Sequence, residues 1–315
     1  MKGVFIGSGS EGLQNEQVRD AFLKLASKEK PVVAYIGTAT YDLPQFMENQ
    51  TKRLSEVGCE ILNVKVTNPS DSTMEEAREK IGRADVIIVS GGNTLFAVDR
   101  WTKLGLHEVL REAADRGAVI GGGSAGAICW FDGGHSDSFD PDTFKGAMLR
   151  EFGDEQGRRK DDESSDFVED EAKPWKYIRV PSLGFLPGLV CPHADKVQSN
   201  GVLRILDFED MLRRHQGENG ICIDHYAGIV VDGEDFSVLS MDGKPGTVME
   251  DGTCDTERSG KPGCWVKTVK EDGSIETRLV PDRGKVKDWF VQATEIIEDP
   301  NCDDCRAANP SESSF

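Results

Sequence analysis

The chain has 315 residues, with 37 Lys and Arg against 56 Asp and Glu, so its formal charge at pH 7 is −19. Hydrophobic residues make up 37% of the chain, enough for a folded core, which excludes a wholly disordered protein. The negative charge argues against nucleic acid or an anionic membrane as the main partner, because both are polyanions.

The sequence contains no apolar run of about 18 residues, the length that a membrane-spanning helix needs. The apolar run at its N-terminus is too short for a signal peptide, so we expect a cytoplasmic protein.

Short apolar runs alternate with amphipathic stretches over the first 130 residues or so. This pattern predicts an α/β fold with a mostly parallel sheet flanked by helices. Thr73 followed by Glu76 is the signature of a capping box and places a helix start there. The predicted strands are 3–6, 32–36, 60–64, 86–90 and 118–121, and the predicted helices are 16–26, 43–57, 74–83 and 106–116.

A glycine-rich loop, GSGSEG at 7–12, follows the first predicted strand directly. Its G-x-G-x-x-G spacing is that of dinucleotide-binding proteins, which also need an acid at the end of the second strand to hold the ribose. Here that strand ends in GTAT at 37–40, with no acid before Asp42. A nucleotide-binding enzyme is therefore only an alternative.

The most informative segment is AVIGGGSAGA at 118–127, where an apolar strand runs into small residues around Ser124. A serine on such a sharp strand-to-helix turn is exposed as a nucleophile, and the next amide, that of Ala125, faces the same space. The alternative is a phosphate-binding loop at a helix N-terminus. A second glycine-rich turn, SGGNT at 90–94, could bring the amide of Gly91 or Gly92 into the same oxyanion hole, or it could simply turn the chain, with Asn93 capping the next helix.

A nucleophilic serine needs a base, and His193 is the favoured histidine because it follows the apolar run 186–192. His107 and His215 lie in charge-rich stretches and are expected at the surface, while His135 is expected in a polar turn. The candidate orienting acids are Asp224, at the end of another apolar run, and Asp137.

The rest of the chain predicts additions to a catalytic α/β domain at 1–235. An acidic loop insertion is expected at about 141–176, where 151–173 has ten acids against four bases. Turn signals after about residue 237 predict a C-terminal β-hairpin extension over 236–294, packed on the domain, followed by an acidic tail at 295–315. Two late cysteines, Cys302 and Cys305, have metal-ligand spacing, but one such pair is weak evidence, and neither a metal nor an organic cofactor is expected.

Several motifs together resemble the peptidase E (α-aspartyl dipeptidase) and cyanophycinase family of serine peptidases. They are GGNT at 91–94, GSAGA at 123–127 with CWF at 129–131, SDS at 136–138, LGFLPG at 183–188 and CPH at 191–193. The resemblance implies a glutamine-amidotransferase-like fold, a flavodoxin-like three-layer sandwich, with Ser124 as nucleophile and His193 as base.

For the third member of the triad, the resemblance implies Asp224 or Asp137. Many relatives have two adjacent acids where this chain has Asp224 and His225, and an aromatic residue where it has Ala194. With Gly92 and Ala125 in the oxyanion hole, Asn93 and Arg204 are the expected substrate-binding residues, and Lys196 is a second candidate cation.

The sequence thus predicts a serine peptidase that hydrolyses small peptides, in particular dipeptides with an N-terminal aspartyl or related residue. A cyanophycinase-like exopeptidase acting on Asp-Arg substrates is one alternative. A catalytically silent binding protein of the same fold is another, and a homodimer is left open.

Overall fold

The structure, a computed structural model, describes residues 1–68, 70–152, 174–291 and 297–298. Most of the predicted acidic insertion and nearly all of the predicted tail lie outside these residues. The strands are β1 (Lys2–Ile6), β2 (Val32–Ile36), β3 (Glu60–Val64), β4 (Val86–Val89), β5 (Val119–Gly123), β6 (Phe131–Ser136), β7 (Ile178–Pro181), β8 (Leu186–Cys191), β9 (His215–Gln216), β10 (Gly220–Ile223), β11 (Ala227–Asp232), β12 (Asp235–Ser240), β13 (Cys264–Val269), β14 (Ile275–Leu279), β15 (Arg283–Lys285) and β16 (Ile297–Glu298).

Helices connect most of the early strands, and two single 3₁₀ turns occur at Thr38–Thr40 and Pro141–Thr143. The α-helices are α1 (Ser10–Leu13), α2 (Glu16–Ala26), α3 (Pro44–Glu56), α4 (Met74–Arg83), α5 (Thr94–Leu104), α6 (Leu106–Asp115), α7 (Ala125–Ile128), α8 (Lys145–Phe152), α9 (Arg204–Arg214) and α10 (Val286–Trp289).

The larger sheet has the order β15-β12-β11-β1-β5-β4-β2-β3. Its strands β1 to β5 all run parallel, while β11, β12 and β15 are added antiparallel at one side. The five predicted strands and the mostly parallel sheet are therefore confirmed. Because β1, β4 and β5 are neighbours, the loops that follow their carboxyl ends meet at one edge.

A second, six-stranded sheet has the order β14-β13-β10-β8-β6-β7. Its strand β6 begins at Phe131, shortly after α7. The expected polar turn around His135 is therefore wrong, because His135 lies in β6 and is fully buried. His215 was expected at the surface and is also fully buried.

One part of the core fills the space between the two sheets. Another part covers the outer face of the larger sheet. Phe5 of β1 and Phe131 of β6 meet edge to face between the sheets, with 5.2 Å between ring centroids. On the other face of the larger sheet, Val4 and Ile6 pack with Phe22 of α2. Alternate residues of β1 thus serve two apolar layers, as expected for a strand covered on both faces.

The helix starts follow local chemistry. The capping box predicted for α4 is present, with Thr73 and Glu76 each bonding the other's backbone amide. Helix α5 lay outside the predicted helices, and its N-cap is the Asn93 side chain, which accepts from the amide of Phe96.

Strands from the C-terminal part join both sheets. The strands β12 and β15 extend the larger sheet, and β13 and β14 extend the smaller one. The β-rich extension therefore contributes strands to both sheets. The domain boundary between residues 235 and 236 stays a prediction. Within the described residues, no helix is both long and apolar enough to cross a membrane.

We expect Gly126→Ala to lower the free energy of unfolding by about 3 kcal/mol, because the added Cβ would overlap the Val89 carbonyl oxygen. The matched control is Gly82→Ala in α4, where a Cβ meets nothing within 4 Å and where alanine should add about 0.5–1 kcal/mol. Urea unfolding measures both. Equal stability of the two variants would contradict this packing constraint.

Candidate active site

Ser124 lies between the end of β5 and the start of α7, with φ +56° and ψ −121°. A positive φ is unusual for a serine and is held here by its neighbours. Its amide donates to the carbonyl of Ile6, and its own carbonyl accepts from the amides of Ala127 and Ile128. The side chain sits at a sharp strand-to-helix turn and is 9% exposed, so the elbow geometry that the sequence predicted is present.

Two glycine-rich loops pack against this elbow. A Cβ at Gly123 would overlap the carbonyl oxygen of Ser8, and a Cβ at Gly91 would lie 3.4 Å from the Cβ of Ser124. A Cβ at Gly7 would overlap the carbonyl oxygen of Asp224. Gly91 and Gly123 therefore permit close backbone packing around the serine, and Gly7 of the first loop permits close packing against Asp224, a physical role that requires no dinucleotide.

The two loops also bear on the predicted oxyanion hole. Gly91 faces Ser124, whereas Gly92, with φ +120°, faces the carbonyl of Ala39. Ala125 is the first residue of α7, and the first amides of a helix lack intrahelical partners. The assignment of Gly92 and Ala125 as oxyanion donors stays a prediction.

His193 follows β8 and also has a positive φ, +50°. Its Nδ1 lies 2.7 Å from Nδ1 of His225. Burial, together with the neighbouring His225 ring and the positive charges of Arg204 and Lys196, holds the pKa of His193 well below its ordinary value. The imidazole is therefore neutral at pH 7, which is the form that a general base requires.

Ser124 and His193 are not hydrogen-bonded to each other in the described part of the chain, but the segment that follows β1 reaches both regions. Gly9 of this segment lies against Gly91 and the Gly123 carbonyl, and Glu11 of α1 bonds to His225, the partner of His193. Bonds between a nucleophile and its base are often long in the absence of substrate.

The partner of His193 is a residue that the sequence reasoning did not select. Nε2 of His225 lies 2.7 Å from Oε2 of Glu11, and the Tyr226 hydroxyl donates to the same oxygen at 2.7 Å. Hydrogen bonds from Tyr226 and His225 lower the pKa of Glu11, so the carboxylate stays charged. The available signal was the position of this histidine, directly after the candidate acid Asp224.

Asp224 is fully buried, and the structure does not bring its carboxylate to His193. The carboxylate accepts from the amide and hydroxyl of Thr247 and from the amide of Gly263, at 2.8 to 3.0 Å. Burial and the nearby charge of Asp195 raise the pKa of Asp224 to about 7. The expectation that Asp224 orients the base is corrected, because its acceptor capacity serves the C-terminal loops.

Asp137, the other candidate acid, pairs instead with Arg204 at 3.2 Å. Arg204 was expected to bind substrate, but its guanidinium is fully buried and also donates to the carbonyl of His135. The side chain stacks over the ring of Tyr177 at 5.0 Å. Both expectations are corrected, since this pair holds α9 against β6 rather than facing a substrate.

Asn93 is likewise committed to structure. Its Oδ1 caps α5, while its Nδ2 donates to the Ser138 carbonyl at 3.0 Å and the Thr143 hydroxyl at 3.1 Å. The capping alternative is therefore confirmed. With both ends of the amide engaged, substrate binding by this side chain is not supported.

Two lysines flank the histidine pair. The ammonium groups of Lys196 and Lys244 lie 5.9 and 4.9 Å from the ring centre of Tyr226. The positive charge of Lys196 also acts on His193, His225 and Glu11. Lys196, unlike Arg204, is partly exposed, so it remains the candidate cation for an acidic substrate.

Among the described residues, no three His, Cys, Asp or Glu side chains are arranged to hold a metal ion. Cys264 is buried and Cys254 is exposed, and both are free thiols. Cys302 and Cys305 lie outside the described residues.

Comparison with known proteins shows similarity to peptidases. The model of Peptidase family S51 matches residues 4–152. An uncharacterized peptidase of Bacillus subtilis, YgaJ, is 27% identical over 194 residues, covering 61% of this chain and 68% of its own. A Trypanosoma brucei brucei protein named G2/mitotic-specific cyclin-1 is 28% identical over 322 residues, covering 95% of this chain and 91% of its own.

Two solved structures are also similar. The crystal structure of a peptidase from an acI-B1 actinobacterium has a TM-score of 0.52 at 15% identity, covering 94% of this chain and 96% of that one. At this identity the likeness concerns the fold. A putative peptidase E from Listeria monocytogenes has a TM-score of 0.48 at 16% identity, covering 76% of this chain and 97% of its own.

The fold, the serine elbow and these similarities define a peptidase. More particularly, residues 4–152 are similar to peptidase family S51. The name cyclin describes the trypanosome protein and is not transferred to this chain.

We expect Asp224→Ala to lower the free energy of unfolding by about 3 kcal/mol, because two amides and a hydroxyl lose their acceptor in a buried position. Urea unfolding is the measurement, with the exposed Asp115→Ala as control. The folded fraction should keep the wild-type rate of reaction with a fluorophosphonate. Unchanged stability with lost reactivity would restore Asp224 as the orienting acid.

Proposed function

We propose that this protein is a serine peptidase that hydrolyses small peptides through an acyl-enzyme, with Ser124 as nucleophile and His193 as general base. The observation that carries the proposal is the strained elbow at Ser124, because a sharp strand-to-helix turn with positive φ is costly and recurs where a serine attacks a carbonyl.

In this mechanism Oγ of Ser124 attacks the substrate carbonyl while His193 takes its proton. In this proposal the amides of Ala125 and of Gly91 or Gly92 donate to the oxyanion. The tetrahedral intermediate then breaks its C–N bond as His193 returns the proton to the leaving amine. Water repeats the sequence in reverse to release the acid and regenerate Ser124.

The substrate class follows from access and charge. Ser124 is 9% exposed, so a short peptide with a free end reaches it more readily than a folded chain does. Lys196 and Lys244 beside Tyr226 provide positive charge for a substrate with an N-terminal aspartyl or related residue. A cytoplasmic location belongs to the same proposal, since the described cysteines are all free thiols.

We expect a fluorophosphonate to label the wild-type protein and to leave Ser124→Ala unlabelled, because the reagent reacts with an activated serine hydroxyl. Intact mass after labelling, with peptide mapping to residue 124, is the measurement. Ser138→Ala, which removes a buried hydroxyl bonded to Ser136, controls for loss of any serine. A wild-type protein that resists labelling, while another serine peptidase reacts in parallel, would favour a silent binding protein.

We expect a dipeptide library with Asp, Asn, Leu or Arg in first position to show Asp preferred over Asn by about tenfold in kcat/KM, which corresponds to about 1.4 kcal/mol. Lys196→Met should remove most of that preference while changing the Leu substrate by less than about twofold. The exposed, distant Lys103→Met is the control. Flat activity across the library, or an unchanged Asp-to-Asn ratio in Lys196→Met, would contradict the acidic specificity.

A further inference from the structure

The contact between the two histidines constrains their protons. Nδ1 of His193 and Nδ1 of His225 lie 2.7 Å apart. Two ring nitrogens at this distance must have one proton between them, because two lone pairs or two N–H groups facing each other would repel. One histidine is therefore the donor and the other the acceptor.

The contact of His225 with Glu11 determines which of the two histidines is the donor. Its Nε2 lies 2.7 Å from Oε2 of Glu11, and an ionised carboxylate can only accept. Nε2 of His225 therefore carries a proton, and in the neutral ring its Nδ1 is left as an acceptor. His193 must then donate from Nδ1, which leaves the lone pair of His193 on Nε2.

Burial supports the neutral state of both rings. It lowers the pKa of His225 even though Glu11 opposes that shift, and it lowers the pKa of His193. Glu11 itself is held by the Tyr226 hydroxyl, so its carboxylate keeps a fixed direction although its side chain is 61% exposed. In this network Tyr226 and His225 both donate to Glu11, and His193 donates to His225.

We propose that Glu11 and His225 are positioning residues that together replace the single acid of a serine triad. The inference rests on the proposed function and adds to it the source of the base's orientation. Glu11 fixes the tautomer of His225, and His225 fixes the tautomer and ring direction of His193, leaving Nε2 free to accept the Ser124 proton. When that proton arrives, the positive charge on His193 is stabilised through His225 by the carboxylate.

A purely structural role for the His225 side chain would look different. The backbone amide of His225 is already anchored by Oδ1 of the buried Asp195 at 2.6 Å, and Oδ2 of Asp195 is bonded to Arg258. The main chain at His225 is therefore held by the Asp195 carboxylate, a contact that does not involve the imidazole. The imidazole is bonded to Glu11 on one side and to His193 on the other, which is the geometry of a relay.

The test is a double-mutant cycle at positions 11 and 225. Glu11→Gln should lower kcat/KM by about 10- to 100-fold, mostly in kcat, because a neutral amide no longer dictates the proton position on His225. In His225→Glu, a carboxylate accepts from His193 Nδ1 directly but faces the charge of Glu11. Adding Glu11→Gln to that variant should therefore restore activity rather than reduce it.

The matched control is Glu16→Gln, a nearby glutamate whose side chain is 64% exposed and whose two ion pairs, with Arg19 and Arg53, are 3.8 to 3.9 Å long. It should change kcat/KM by less than about twofold. An equal loss from Glu11→Gln in the wild-type protein and in the His225→Glu variant would overturn the relay, and so would no loss in either.

A second measurement separates the relay from the peptidase activity. Histidine ¹⁵N chemical shifts of the free wild-type protein should report neutral His193 protonated on Nδ1, and Glu11→Gln should give a mixture of the two tautomers. If fluorophosphonate labelling fails but these shifts appear, the relay stands and the proposed function falls. If labelling succeeds while His193 carries its proton on Nε2, the relay is wrong and the proposed function stands.

Discussion

Close approach between main chains at one edge of the larger sheet is the constraint on which the candidate site depends. Gly123 lies against the carbonyl of Ser8, and Gly126 lies against that of Val89. Since β1, β4 and β5 are neighbours, these contacts bring three loops onto one serine. A Cβ atom at either position would overlap a neighbouring carbonyl oxygen and push the main chains apart. Close packing of the main chain, without any ligand, therefore accounts for these glycines.

The second sheet supplies what the first cannot. Segments that follow strands of the larger sheet contribute Ser124 and Glu11. The strands β8 and β10 of the smaller sheet lead into His193 and His225. Burial and the positive charge of Lys196 disfavour the protonated form of both rings, although Glu11 and Asp195 favour it in His225. In such surroundings a buried imidazole stays neutral, so the smaller sheet provides a base rather than a cation.

The sequence was sufficient for features that depend on near neighbours in the chain. The parallel strands, the capping box at Thr73 and the elbow at Ser124 are all local patterns, and the structure contains each of them. The acid could not be found in this way, because what matters is which distant donors claim a carboxylate. Asp224 follows an apolar run, the position expected for an orienting acid, yet its carboxylate accepts hydrogen bonds from Thr247 and Gly263 instead.

Arg204 shows the same limit from the side of charge. An arginine at the start of an amphipathic helix is usually solvated. Arg204 is buried because Asp137, the His135 carbonyl and the Tyr177 ring, all distant in the sequence, surround its guanidinium. Glu11 was hidden for a related reason. It lies inside a glycine pattern that points to nucleotides, and its partner is 214 residues away in the sequence.

That separation has a consequence for how the protein is made. During synthesis the serine leaves the ribosome well before His193 and His225, and β1 must wait for β11 before its second neighbour exists. A nascent or prematurely terminated chain would then hold a nucleophile with no base. In the proposed mechanism, activity begins only when the two distant parts have met, so the newly made enzyme cannot cleave peptides before its fold is complete.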